Sequence, residues 1–165
     1  MRIADRLGVV GMLAVELFQT AAGVLVNELA MRPHNSGHWT IEGSRTSQFE
    51  QHLRAVLDYP LGSTAMTAPV AVMANVLGGA AAADSWDGPG LDERVHHFMA
   101  HWPDVKLHWY GKTPRRGRKL GHVTAVGNDL DEVRGRAVAA ARYLADGVVD
   151  DAFAFSHDHV HDPER

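Results

Sequence analysis

At 165 residues, with 45% hydrophobic and 22% charged residues, the chain holds enough apolar material for a packed core in one domain or two small ones. A formal charge of -4 gives no general reason to expect nucleic-acid binding, and the lack of cysteine excludes disulfides, thiolate chemistry and a Cys-based zinc site. No apolar run approaches bilayer length and no basic start leads into an apolar core, so the expectation is a globular, cytoplasmic protein with neither nucleic-acid nor membrane partners.

Ile3, Leu7 and Val10 fall at helical spacing and predict a helix that Gly8 and Gly11 terminate. Two apolar runs, Met12 to Phe18 and Val24 to Ala30, flank the small and polar residues Gln19 to Gly23 and predict a β-hairpin. Each run carries one carboxylate, Glu16 or Glu28, and a buried ionised carboxylate is costly unless a cation or donor compensates it. Pairing Phe18 with Val24 sets Glu16 opposite Val26 and Glu28 one diagonal step away on the same face, with β-carbons roughly 7 to 8 Å apart. A one-residue slip would separate them. Carboxylates at that spacing can bracket a hard cation such as Mg²⁺; the plainer alternative is a solvated face paired with lysines or arginines. Asn27 alternates to the opposite face. Directly after the second acidic strand, Arg32-Pro33-His34-Asn35-Ser36-Gly37-His38-Trp39 concentrates polar donors to a degree unusual for a simple connection.

Ser47 and Glu50 have capping-box spacing ahead of a helix on which Phe49, Leu53, Val56 and Leu57 form one apolar stripe. Tyr59-Pro60-Leu61-Gly62 ends that helix, and residues 63–69 read as a linker between units at 1–62 and 70–155. Val70 to Leu77 predicts a strand stopped by Gly78-Gly79, before an alanine-rich passage and the loop Asp87-Gly88-Pro89-Gly90. A helix over 92–101 follows. Strands over 105–110 and 121–126 enclose a basic hairpin tip with Lys112, Arg115, Arg116, Arg118 and Lys119. Asp129 and Glu132 start a helix to about Ala145 that buries Leu130, Val133, Ala137, Ala140, Ala141 and Leu144. His157, His159 and His161 stand in an acidic tail, 156–165, that reads as disordered and without catalytic role.

Val15-Glu16-Leu17-Phe18, Val26-Asn27-Glu28-Leu29-Ala30 and the block from Arg32 to Thr40 closely resemble the 5-(carboxyamino)imidazole ribonucleotide synthases, ATP-grasp enzymes of purine biosynthesis. The likeness continues through Ser47 to Ala55, His108-Trp109-Tyr110-Gly111-Lys112 and Gly117-Arg118-Lys119-Leu120-Gly121-His122, and covers roughly residues 3 to 145. It implies an α+β fold: the C-terminal half of an ATP-grasp domain followed by a small mixed domain with antiparallel strands. The adenine pocket and phosphate-covering loop are expected in an N-terminal lobe outside this chain. The implied reaction is ATP-dependent carboxylation of aminoimidazole ribonucleotide by bicarbonate through carboxyphosphate, in a homodimer when full length. Glu16 and Glu28 would hold Mg²⁺ or Mn²⁺, with Asn27 and Glu28 at the nucleotide and Arg32 stabilising the anionic intermediate. His34, Asn35 and Ser36 would line the substrate pocket, while Lys112, Arg118 and Lys119 would bind the ribonucleotide 5′-phosphate. Met31 departs from the proline common in relatives. Two other readings stay open, another ATP-grasp carboxylase or ligase and a non-catalytic phosphate-binding or dimerisation module.

Overall fold

The computed structural model describes residues 2–79 and 88–148; the alanine-rich passage and the histidine tail lie outside them. The chain divides into two compact units, residues 1–71 with 126–128, and 72–125 with 129–165. Helices and antiparallel strand pairs are combined as an α+β architecture.

In the first unit, α1 (Arg2–Leu7) ends at Gly8, whose φ of 59° is left-handed. The hairpin follows as β1 (Ala14–Thr20) and β2 (Gly23–Ala30). Its strands run further into the expected loop than the sequence suggests, leaving only Ala21 and Ala22 at the tip. Thr20 braces this turn, its Oγ1 donating to Gly23 O at 2.9 Å and accepting from Ala22 N at 3.2 Å. Gly23 absorbs the left-handed step at φ 124°, so the two alanines need not.

A short 3-10 turn (Asn35–Gly37), α2 (Thr40–Gly43) and α3 (Gln48–Val56) complete the unit. Ser47 caps α3 as its spacing predicts, its hydroxyl accepting from Glu50 N at 3.3 Å. The apolar stripe of α3, however, is not its buried face. Phe49, Leu53, Val56 and Leu57 are exposed, whereas Gln48 and Gln51 are buried. Those glutamines serve backbone groups of loops distant in sequence. Gln51 Nε2 donates to Gly62 O at 2.6 Å while its Oε1 accepts from Gly62 N at 3.0 Å. Gln48 clasps His34 in the same two-point manner, and His52 Nδ1 accepts from Met12 N at 3.1 Å. One helix thus anchors three loops through polar side chains, because buried peptide groups cost more unpaired than the side chains cost to bury. Residues 63–69 are held to the α2 segment by Arg45 N donating to Ala65 O and Thr67 N donating to Gly43 O.

The second unit is built on a three-stranded sheet ordered β3 (Val70–Leu77), β5 (Lys119–Gly127), β4 (Lys106–Trp109), with β4 and β5 antiparallel. Helices α4 (Leu91–His101) and α5 (Leu130–Asp146) pack against each other. Asp129 caps α5 by accepting from Glu132 N at 2.9 Å, and Gly147 at φ 65° closes it. Val133, Ala137, Ala140, Ala141 and Leu144 are buried as their spacing requires; Leu130, in the first turn, is exposed. Phe98, Trp102 and Val123 supply the bulk of the facing core. Arg94 reaches from α4 to the end of α5, its Nη1 donating to Leu144 O at 2.7 Å and Ala145 O at 3.1 Å. These carbonyls lack helical partners, and a cation there also suits the helix dipole. Desolvation lowers the Arg94 pKa from its ordinary value, partly offset by Tyr143 and Asp146. No helix among the described residues is long and apolar enough to cross a membrane.

Candidate metal and substrate site

The hairpin register differs from the expected one, and the difference builds the site. Near the tip Phe18 pairs with Leu25 and Leu17 with Val26, yet Glu16 pairs with Glu28. A β-bulge inserts Asn27 between these pairings. Without it the tip register would set Asn27 opposite Glu16 and turn Glu28 to the other face; the extra residue restores the parity and brings the carboxylates directly across from each other. Asn27 itself does not turn away, as simple alternation predicts. Its Nδ2 donates to Glu16 Oε1 at 2.7 Å and so orients that carboxylate.

His34 is the third member. Its Nε2 stands 3.0 Å from Glu28 Oε1 and 3.5 Å from Glu16 Oε2, and ligand atoms of all three side chains lie within 4.8 Å of one another. The imidazole is only 10% exposed, against 43% for the Glu16 side chain and 48% for Glu28, so a buried wall carries an accessible acidic rim. Ser36 N donates to His34 Nδ1 at 3.3 Å, which places the ring proton on Nε2, facing the carboxylates. A cation bound at Nε2 would require the other tautomer, and Ser36 Oγ, 2.8 Å from Nδ1, is available to accept that proton.

The donor set fits a divalent cation. Bonds of about 2.1 Å to Mg²⁺ put neighbouring ligand atoms roughly 3 to 4 Å apart, so side-chain adjustments of about 1 Å close this cluster around an ion. The two carboxylates suit Mg²⁺ and Mn²⁺ alike, and an imidazole ligand favours a transition metal over Mg²⁺. The sequence set the two carboxylates on one strand face and, by resemblance, His34 in a substrate pocket; the approach of His34 to both acids depends on a chain reversal that no spacing rule shows.

The remaining candidates are distributed over both units. Arg32 is exposed at the mouth of the loop, its Nη1 donating to Pro33 O at 3.0 Å. Asn35 opens the 3-10 turn. His38 stacks on Phe49 with ring centroids 5.6 Å apart. In the second unit Lys112 Nζ lies 5.2 Å over the Tyr110 ring, and Tyr110 OH meets His122 Nδ1 at 2.7 Å. His122 pairs across the strands with His108, their rings stacked 4.6 Å apart. The HWYGK and GRKLGH blocks are therefore one cross-strand cluster. Arg118 Nη1 donates to Thr113 O at 3.2 Å, and Lys119 begins β5, both exposed. A cavity of about 820 Å³ in this unit is lined by Asn75, Gly78, Arg116, Gly117, Arg142 and Asp146 among others, and by none of Lys112, Arg118 or Lys119.

Residues 1–49 match the family model described as ATP-grasp domain, and residues 71–136 that described as phosphoribosylaminoimidazole carboxylase C-terminal domain. The chain is 59% identical over 148 residues to N5-carboxyaminoimidazole ribonucleotide synthase of Mycobacterium tuberculosis, covering 89% of this chain and 34% of the relative. It is 51% identical over 160 residues to that of Corynebacterium ammoniagenes, covering 91% and 36%. Among solved structures, the phosphoribosylaminoimidazole carboxylase ATPase subunit of Aquifex aeolicus superposes with a TM-score of 0.69 at 39% identity, over 87% of this chain and 41% of that one. An Aspergillus clavatus N5-carboxyaminoimidazole synthase in complex with ADP and 5-aminoimidazole ribonucleotide gives 0.64 at 32%, over 84% and 35%. The chain thus spans about a third of the length of the curated relatives it matches.

Proposed function

We propose, from the premise that this chain corresponds to the C-terminal part of the N5-carboxyaminoimidazole ribonucleotide synthases, that it supplies the metal-binding and ribonucleotide-binding portions of an ATP-dependent carboxylating ligase. The reaction is carboxylation of 5-aminoimidazole ribonucleotide on its exocyclic amine. A phosphoryl group passes from ATP to bicarbonate with release of ADP, carboxyphosphate breaks down to phosphate and carbon dioxide, and the amine adds to the carbon dioxide carbon and gives up one proton to leave the N-carboxylate. The observation that carries this reading is the bulge-built opposition of Glu16 and Glu28 with His34 beside them.

A divalent cation, Mg²⁺ or Mn²⁺, supplies neutralisation of phosphate oxygens when bound there. The chain's own residues do the rest. Glu16 and Glu28 hold the cation, and Asn27 keeps the Glu16 carboxylate turned toward the centre. His34 either joins as ligand or donates from Nε2 to the carboxylates, with Ser36 selecting the tautomer. Arg32, Asn35 and Ser36 offer donors at the mouth of the loop, Arg32 to the anionic intermediate. Lys112, Arg118 and Lys119 bind the ribonucleotide 5′-phosphate. Bicarbonate as carbon source, a homodimeric whole enzyme and a cytoplasmic location belong to the same proposal.

The test combines this chain with the N-terminal two thirds of the Mycobacterium tuberculosis relative and follows ADP release. Release that requires aminoimidazole ribonucleotide and is abolished by Glu28→Gln supports the proposal. Release indifferent to the ribonucleotide, or unchanged by that substitution, rejects it.

A further inference from the structure

Helix α3 holds the backbone of the metal-site loop through Gln48. Gln48 is 4% exposed; its Oε1 accepts from His34 N at 3.0 Å and its Nε2 donates to His34 O at 2.8 Å. We propose that Gln48 is a positioning residue for the carboxylate and histidine centre, fixing the His34 peptide so that the imidazole stands against Glu16 and Glu28.

The chemistry is specific to glutamine. Holding both the N–H and the C=O of one residue needs a donor and an acceptor on the same planar head, which an amide has and a carboxylate lacks. Asparagine is one methylene short, and an apolar side chain leaves His34 N without its acceptor and His34 O with only the bond from Gly37 N. The clamp is itself held from both sides. Gln48 N donates to Thr40 Oγ1 at 2.9 Å, and Thr40 Oγ1 donates to Gly37 O at 2.6 Å, tying the helix start to the loop it clasps. Gly37 lies so close that a β-carbon there would come within 2.3 Å of Gln48 Oε1. With the His34 backbone held extended at φ -120° and ψ 153°, and Ser36 bonded to Nδ1, the ring has one remaining direction, toward the acids. Gln48 touches neither carboxylate, so it acts through His34 alone.

Two substitutions attack the clamp independently. Gln48→Met removes both hydrogen bonds at similar volume, and Gly37→Ala displaces the amide from the opposite side. Nitrogen-15 NMR of the His34 ring reads the positioning without metal, and Mn²⁺ titration by water-proton relaxation reads its consequence, the second readout resting on the proposed metal role. In the wild type the Nε2 proton should be in slow exchange. In both variants that signal should be lost while cross-strand contacts between β1 and β2 persist, and Mn²⁺ affinity should fall about 10- to 100-fold, the range typical of groups that orient ligands. On a His34→Ala background, Gln48→Met should add less than about twofold, because residues acting in series are not additive. An unaltered His34 signal in both variants, or a full second loss on the His34→Ala background, overturns the inference. Should Gln48→Met fail to fold, Gly37→Ala decides it. A wild-type chain that binds no Mn²⁺ would refute the metal role and leave the imidazole measurement to judge the clamp.

Discussion

Replacing Glu28 by glutamine should make the metal-free chain more stable and the metal-loaded chain less so. Glu16 and Glu28 are a directly opposed like-charged pair, an arrangement unfavourable in any sheet. At the 4.8 Å limit of their ligand-atom spread, two unit charges repel by about 0.9 kcal/mol in water and by about 3.5 kcal/mol at an effective dielectric of about 20. Both side chains are nearly half exposed, which puts the cost near the lower figure, about 1 kcal/mol. The neutral amide of the Glu28→Gln variant would relieve it, while the amide oxygen could still accept from His34 Nε2, which lies 3.0 Å from Glu28 Oε1 in the wild type. Metal reverses the order. At a free Mn²⁺ concentration 100 times its Kd, the wild type gains about 2.7 kcal/mol and the variant, short one ligand, almost none. Thermal unfolding of both chains, with and without Mn²⁺, should therefore show the two melting curves exchange places. A variant less stable than wild type without metal, or one stabilised equally by Mn²⁺, would refute the reasoning.

Gln51→Met should cost the first unit about 1 to 3 kcal/mol in urea unfolding, since it removes both bonds to Gly62 and leaves that peptide short of partners. Burial raises the pKa of both Tyr110 and Tyr143 from 10.0, and Glu93 raises Tyr143 further. Their contribution to stability is present below the unfolded pKa, so stability measured by chemical denaturation should fall above about pH 10, a dependence that a double Phe variant should lose. Arg118→Ala, in the reconstituted enzyme described above, should weaken ribonucleotide binding by roughly one to two orders of magnitude and leave ATP binding nearly unchanged, one charge-assisted contact being worth about 1.5 to 3 kcal/mol; equal losses for both ligands would indicate structural damage. The chain by itself should show no ribonucleotide-dependent ADP release, because the curated relatives extend far beyond the third of their length that it matches.

Local signals explain which parts of this molecule could be read from its residues. The capped helices were legible because Ser47 with Glu50 and Asp129 with Glu132 act within one turn, where spacing is geometry. Strand β3 was legible as an apolar run bounded by Pro69 and Gly78. The hairpin was visible as a hairpin, but its register was not. A bulge adds one residue without altering composition, and the alternation rule that sends Asn27 outward fails where two residues share one partner. Periodicity likewise located the stripe on α3 without saying what covers it. The buried face is polar because backbone groups at His34 and Gly62, 14 and 11 positions from their glutamines, take these side chains as partners. Such needs belong to the folded loops and have no trace in neighbouring residues. Acids interrupting apolar strands are conspicuous in a sequence, whereas a side chain that bonds backbone across a chain reversal, as Gln48 does at His34, is not.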